Sequence, residues 1–84
     1  MKTFIEAVEF VGTQLGVQAF NSYMNGGYGR LACAPDQSAV DLILHIYERG
    51  DVDNTRALIK SEAEAMFDRL LDHQHARVRA LEGQ

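Results

Sequence analysis

The stretch Asn25-Gly26-Gly27-Tyr28-Gly29-Arg30 comes nearest to a ligand site by residue type. Amides in glycine turns can cradle an anion, and an arginine can clamp a phosphate or carboxylate. A P-loop also needs Lys-Ser/Thr after the glycines and a strand before them. A dinucleotide site needs its six-residue glycine spacing within a βαβ unit. Both patterns are missing. The first reading is therefore a helix-ending connector, with a small-ligand or nucleotide-binding module on Gly26–Gly29 and Arg30 as the alternative. Tyr28 and Arg30 are also residue types that concentrate in protein-binding surfaces.

His73-Gln74-His75 has the look of a metal pair until it is placed on a helix. Residues two apart point about 200° apart, whereas ligands on one face need spacings of three or four. The expectation is polar surface beside Arg77 and Arg79 near a helix C-terminus, which suits the dipole. His45 falls on the polar edge of its helix. Cys33 stands close to a helix start, where a thiol can become acidic, yet nothing nearby in sequence supplies a base. An inert, partly buried cysteine is expected. No nucleophile–base–orienter set is present, so no catalytic residue, cofactor or metal ligand is assigned and the chain reads as non-enzymatic.

Glu62, Glu64, Asp68 and Asp72, with Asp51 and Asp53, make an acidic flank. It reads either as a solvated helix face or as a surface that mimics DNA or docks on a basic groove. Glu64–Asp68 has no basic partner one turn on. A recognition helix starting with Asp51 and Asp53 would repel phosphates, so direct nucleic-acid binding is not expected. The partner-contact candidates are Tyr28, Arg30, Glu64, Asp68 and Asp72.

The elements that must position these residues are helical. Asp53 to Leu81 lacks Gly and Pro and is rich in good helix formers. Its stripe comprises Ile59, Ala63, Met66, Phe67, Leu70, Leu71, Val78 and Leu81. Such a helix is about 40 Å long, whereas a compact chain of this size is about 30 Å across. It should protrude or be shared. A first helix over residues 3–24 shows two apolar rows, one of Phe4, Val8, Val11, Leu15 and Ala19 and one of Phe10, Val17, Phe20 and Met24. Gly12 and Gly16, one turn apart, mark either a groove for another helix backbone or a break. Gly26 or Asn25 closes this helix in a left-handed conformation. Residues 30–34 read as a short extended piece. Pro35 suits the first turn of a second helix running to Arg49 and ended by Gly50. The short link to the third helix makes those two antiparallel neighbours.

With 84 residues, a net charge of −4 and 46% apolar residues, this is one folded domain of marginal core size. Residues 1–35 are neutral and the whole excess of acid lies in 36–84. One cysteine suits a reducing cytosol. Glu6 and Glu9 break any signal-peptide core, and no window is apolar enough for a membrane span. A cytoplasmic location without membrane contact is expected.

The expected architecture is an all-α bundle of three or four helices over residues 1–84 (about 3–24, 36–49 and 53–81, with a Gly-rich loop 25–34) and a long C-terminal helix. Phe67, Leu71, Gln74, Val78 and Leu81 form a coiled-coil-like seam. Phe67, Leu71, Val78 and Leu81 of this seam, with Phe10, Val17 and Phe20, are the candidate self-association residues. The first helix alongside could cover the seam within one chain, and its own second apolar row then points to a homodimer. The functional expectation is a small acidic adaptor, regulator or inhibitor acting on a protein partner. By association with its size and acidity, this extends to phage and mobile-element accessory factors that act on host machinery.

Overall fold

The computed structural model describes residues 3–83. In order they form α1 (Phe4–Met24), a 3-10 turn (Gly29–Cys33), α2 (Gln37–Ile46) and α3 (Val52–Glu82). The described residues are 83% helical with no strand, so the class is all-α.

α1 begins where the sequence offers a capping box. Thr3 Oγ1 accepts from the Glu6 amide and Glu6 Oε1 accepts from the Thr3 amide, each at 3.2 Å, so two amides at the helix start find partners. The helix continues unbroken through Gly12 and Gly16. Both face α3. A Cβ on Gly16 would stand 2.6 Å from the Ala63 carbonyl oxygen and 2.7 Å from Met66 Cβ, and one on Gly12 would run into Glu62 Cβ. The groove reading of the two glycines is the one realised, and the approaching backbone belongs to the same chain.

Contacts advance in the same direction along both helices. Val8 packs with Ile59, Gly12 meets Ile59 and Glu62, Gly16 meets Ala63 and Met66, and Phe20 and Tyr23 meet Phe67. α1 and α3 are therefore parallel, which α2 makes possible by returning the chain. Val40, Ile43 and Leu44 of α2 close a core with Val8 and Ile59, and a second cluster joins Ala19, Cys33, Ala63 and Phe67.

The ends of the first two helices are built alike. Gly26 (φ 88°) follows α1, with the Gly27 amide donating to Ser22 O and the Gly26 amide to Tyr23 O. Glu48 (φ 52°) plays the same part after α2, with the Arg49 amide reaching Leu44 O and the Glu48 amide reaching His45 O. This pair of bonds with a left-handed residue is the Schellman arrangement. α2 thus ends at Ile46, three residues before the expected Arg49, and Glu48 rather than Gly50 terminates it. The pull comes from Arg49, whose guanidinium lies 3.9 Å from the Phe4 ring centroid and binds both Asp51 oxygens. Pro35 precedes the N-cap residue Asp36 and does not sit in the first turn. Asp51 stands at the N-cap of α3, which begins at Val52, one residue before the expected Asp53.

With 31 residues, α3 is about 46 Å long. The chain measures 54 × 25 × 17 Å, with a radius of gyration of 15.0 Å against about 12 Å for a compact chain of this length. α1 accompanies α3 only as far as Leu71. Beyond it Val78 and Leu81 are exposed.

One core position is chemically mismatched. Thr55 is fully buried and its hydroxyl has no hydrogen-bond partner. An unsatisfied buried hydroxyl costs about 1–3 kcal/mol. Thr55→Val keeps the shape and removes the hydroxyl, so it is expected to raise stability by about 1 kcal/mol. Thermal melts should show a Tm increase of roughly 4–8 °C.

Candidate protein-docking surface

Residues 29–33 do not run extended. The 3-10 turn folds back onto α1 and α3, and three anchors hold it. Gly29 is buried at φ 66°, its α-carbon so close to Tyr23 and Phe67 that a Cβ would stand 3.2 and 3.5 Å from their rings. Cys33 is buried among Ala19, Ala63 and Phe67. Arg30 reaches Glu64 at 3.3 Å and Asp68 at 3.5 Å on α3.

Those anchors leave two large apolar side chains outside. Tyr28 is 84% and Leu31 is 78% exposed, the highest values among the described large apolar residues. Tyr28, Arg30, Glu64 and Asp68 thus come together as one surface, with Leu31 added. Asp72, one turn beyond Asp68, is exposed on the same helix. Leu31 escaped sequence reasoning because an isolated leucine beside glycines carries no periodicity. The basic partner of Glu64 and Asp68 escaped it because Arg30 lies 34 residues away from Glu64.

The electrostatics work against an anion site on this loop. Arg30 is already shared by two carboxylates, and no cavity opens among the described residues. Burial, with Glu64 next, pushes the Cys33 thiol above its ordinary value. It therefore stays protonated, opposite to what its place before α2 suggests. His45, His73 and His75 are exposed, and among the described residues no group of three or more His, Cys, Asp or Glu is arranged to hold a metal.

Among the described residues, Asp51 is the one carboxylate strongly perturbed. Hydrogen bonds from Arg49 (3.0 and 2.8 Å), then from Asn54 (3.1 Å), hold it well below the usual carboxylate range. A carboxyl group whose folded value is depressed stabilises the fold above its unfolded value, about pH 4, and loses that contribution as pH falls. Asp51→Asn is expected to flatten the fall of Tm between about pH 4 and pH 2. A set of melts across that range checks it.

A second surface lies opposite the turn. Taking about 100° per residue from the Gly12–Gly16 line, Phe20, Met24, Val17 and Phe10 lie roughly 60–140° to one side. Leu15, Ser22 and Val11 lie roughly 80–120° to the other. The latter side is covered: Val11 and Leu15 pack on the α2 core, and Gly27 sits against Ser22. On the former, Phe10 and Met24 are half exposed, Val17 and Phe20 half buried. Met66 and Leu70, half buried on α3, lie on its flank away from Glu64 and Asp68.

The four self-association candidates of α3 separate. Phe67 is 2% exposed, edge-on to Phe20 and Tyr23, and has no surface to offer a second copy. Leu71 packs on the same cluster. Only Val78 (41%) and Leu81 (69%) continue the seam into solvent. α1 covers Phe67 and Leu71 within the chain because, running parallel, it lies on the face where they point.

Among the described residues no helix is long and apolar enough to cross a membrane. No protein-family model, curated protein or solved structure matches the chain.

Proposed function

We propose that this chain is a small non-catalytic protein–protein interaction protein, an adaptor, regulator or inhibitor, whose helices act as a homodimeric bundle. The observation that carries the reading is the exposure of Tyr28 and Leu31 on a turn tied down by Arg30, Gly29 and Cys33. Large apolar side chains held on a fixed support lose little entropy on docking and dominate binding where they fill a pocket. Arg30, Glu64 and Asp68 form a polar rim beside them, of the kind that surrounds an apolar contact. By size and acidity the chain suits the accessory factors of phages and mobile elements that act on host machinery in the cytoplasm.

A photo-crosslinking amino acid tests this in cells that make the protein. Placed at Leu31, it should give a discrete adduct with one other protein. Placed at exposed Ala57, on the first turns of α3, it should give none. Equal adducts from both positions, or none from Leu31, would overturn the reading.

A further inference from the structure

The apolar side of the α1–α3 pair has an occupant that the chain itself identifies. We infer that a second copy of this chain sits on it, with the two α1 helices antiparallel and crossing at Val17. This rests on the homodimeric part of the proposed function and gives it a surface and an orientation.

Three observations lead there. The first is charge. From Phe10 to Gly29 the sequence has no Asp, Glu, Lys, Arg or His, while the net −4 lies in residues 36–84. Two identical acidic chains repel each other over most of their surfaces, and the α1 face is where they do not. Depletion of charge at the centre is also what marks interface cores.

The second is spacing. Phe10, Thr13, Val17, Phe20 and Met24 follow one another at three, four, three and four residues, the a/d repeat of a helix–helix seam. The row is nearly symmetric about Val17. Antiparallel pairing sets Phe10 against Met24 of the other copy, Thr13 near its Phe20, and Val17 against Val17, as a two-fold interface requires.

The third is polarity along the molecule. Where α1 and α3 begin, residues 2–9 and 48–56 carry Glu6, Glu9, Glu48, Asp51 and Asp53 against Lys2, Arg49 and Arg56, an excess of acid, whereas in the tail of α3 Arg77 and Arg79 balance Asp72 and Glu82. Because α1 and α3 are parallel, the starts lie at one end of the molecule and the tail at the other. Antiparallel copies bring each charge-balanced tail beside the other's acidic starts, whereas parallel copies would set the two acidic ends together.

The size is adequate. The α1–α3 pair offers a face about 30 Å long and about 20 Å across, roughly 600 Å² in projection and more over ridged side chains. A standard interface uses about 800 Å² per partner.

Light scattering and cysteine pairing test it on the full chain. At about 100 µM, far above the Kd of typical standard-sized interfaces, the protein should show twice the mass of one chain. Val17→Glu should show the single mass with unchanged helicity by circular dichroism. Should Val17→Glu lose helicity, Met24→Glu, at an exposed helix end, serves instead. On mild oxidation Val17→Cys should cross-link to itself, and Phe10→Cys only when mixed with Met24→Cys. Cys33, being buried, is left in place and alkylated on unfolding. A single mass for the unaltered protein, a dimer that survives folded Val17→Glu or Met24→Glu, or self-linking of Phe10→Cys would overturn the inference. Adduct formation at Leu31 is read separately, so loss of the dimer leaves partner binding to be judged on its own result.

Discussion

Replacing Gly16 by valine is expected to lower the melting temperature by roughly 10 °C or more. Glycine costs about 1 kcal/mol of helix propensity against alanine, so by local preference any such change should help. Contact reverses the sign. The position of the new Cβ is 2.6 Å from a backbone carbonyl of α3 and 2.7 Å from Met66 Cβ, and neither can rotate away. α1 and α3 must separate along their most intimate stretch, and overpacking of this kind costs about 1–3 kcal/mol, more with valine's second branch. At about 4–8 °C per kcal/mol for a chain this small, the loss is easily read by circular dichroism. Gly50→Ala is the control, because Gly50 has no neighbour within 4 Å of its Cβ direction and no positive φ. It should leave Tm unchanged or raise it slightly.

Phe67→Ala is expected to be the most damaging single truncation, at about 3–5 kcal/mol. Its ring lies 6.2 Å from Phe20 and 5.7 Å from Tyr23 between centroids, both edge-on. It also lies under Gly29 and beside Cys33. Its removal therefore weakens the α1–α3 contact and the seat of the 3-10 turn together. A chain of this length has about 4–12 kcal/mol in all. Urea unfolding should show a midpoint reduced by about a third or more, or no folded baseline. Val78→Ala, the same kind of truncation at an exposed position, should change stability by less than about 0.5 kcal/mol.

The helical class and the long third helix could be read directly, because Asp53 to Leu81 combines good helix formers with an apolar stripe interrupted at Gln74. The Thr3–Glu6 capping box was equally present in the letters, with Thr3 five residues before the first buried valine, Val8. Other features depend on distant neighbours. Gly12 and Gly16 carry no sign of whether a helix meets them or the chain breaks there, since that is decided by Ala63 and Met66. Glu48 gave no hint that it would end α2, because left-handed backbone at a glutamate is imposed by Arg49 finding Phe4 and Asp51. The rim of the proposed docking surface was half legible. Tyr28 and Arg30 have the residue types of a contact, whereas Leu31 and the Arg30–Glu64–Asp68 link exist only once the turn has folded onto α3. Phe67 and Leu71 look like an intermolecular seam in one dimension and become core when α1 runs parallel beside them.

Docking through Tyr28 and Leu31 is most directly tested by measuring what the immobilised protein retains, beside a Tyr28→Ala/Leu31→Ala variant. Both positions are exposed, so the variant should melt within a few degrees of the unaltered protein. The expected result is a discrete partner held by the unaltered chain and weakened at least 30-fold by the double change, as loss of about 2 kcal/mol or more at a binding centre implies. Equal retention by both proteins would contradict it.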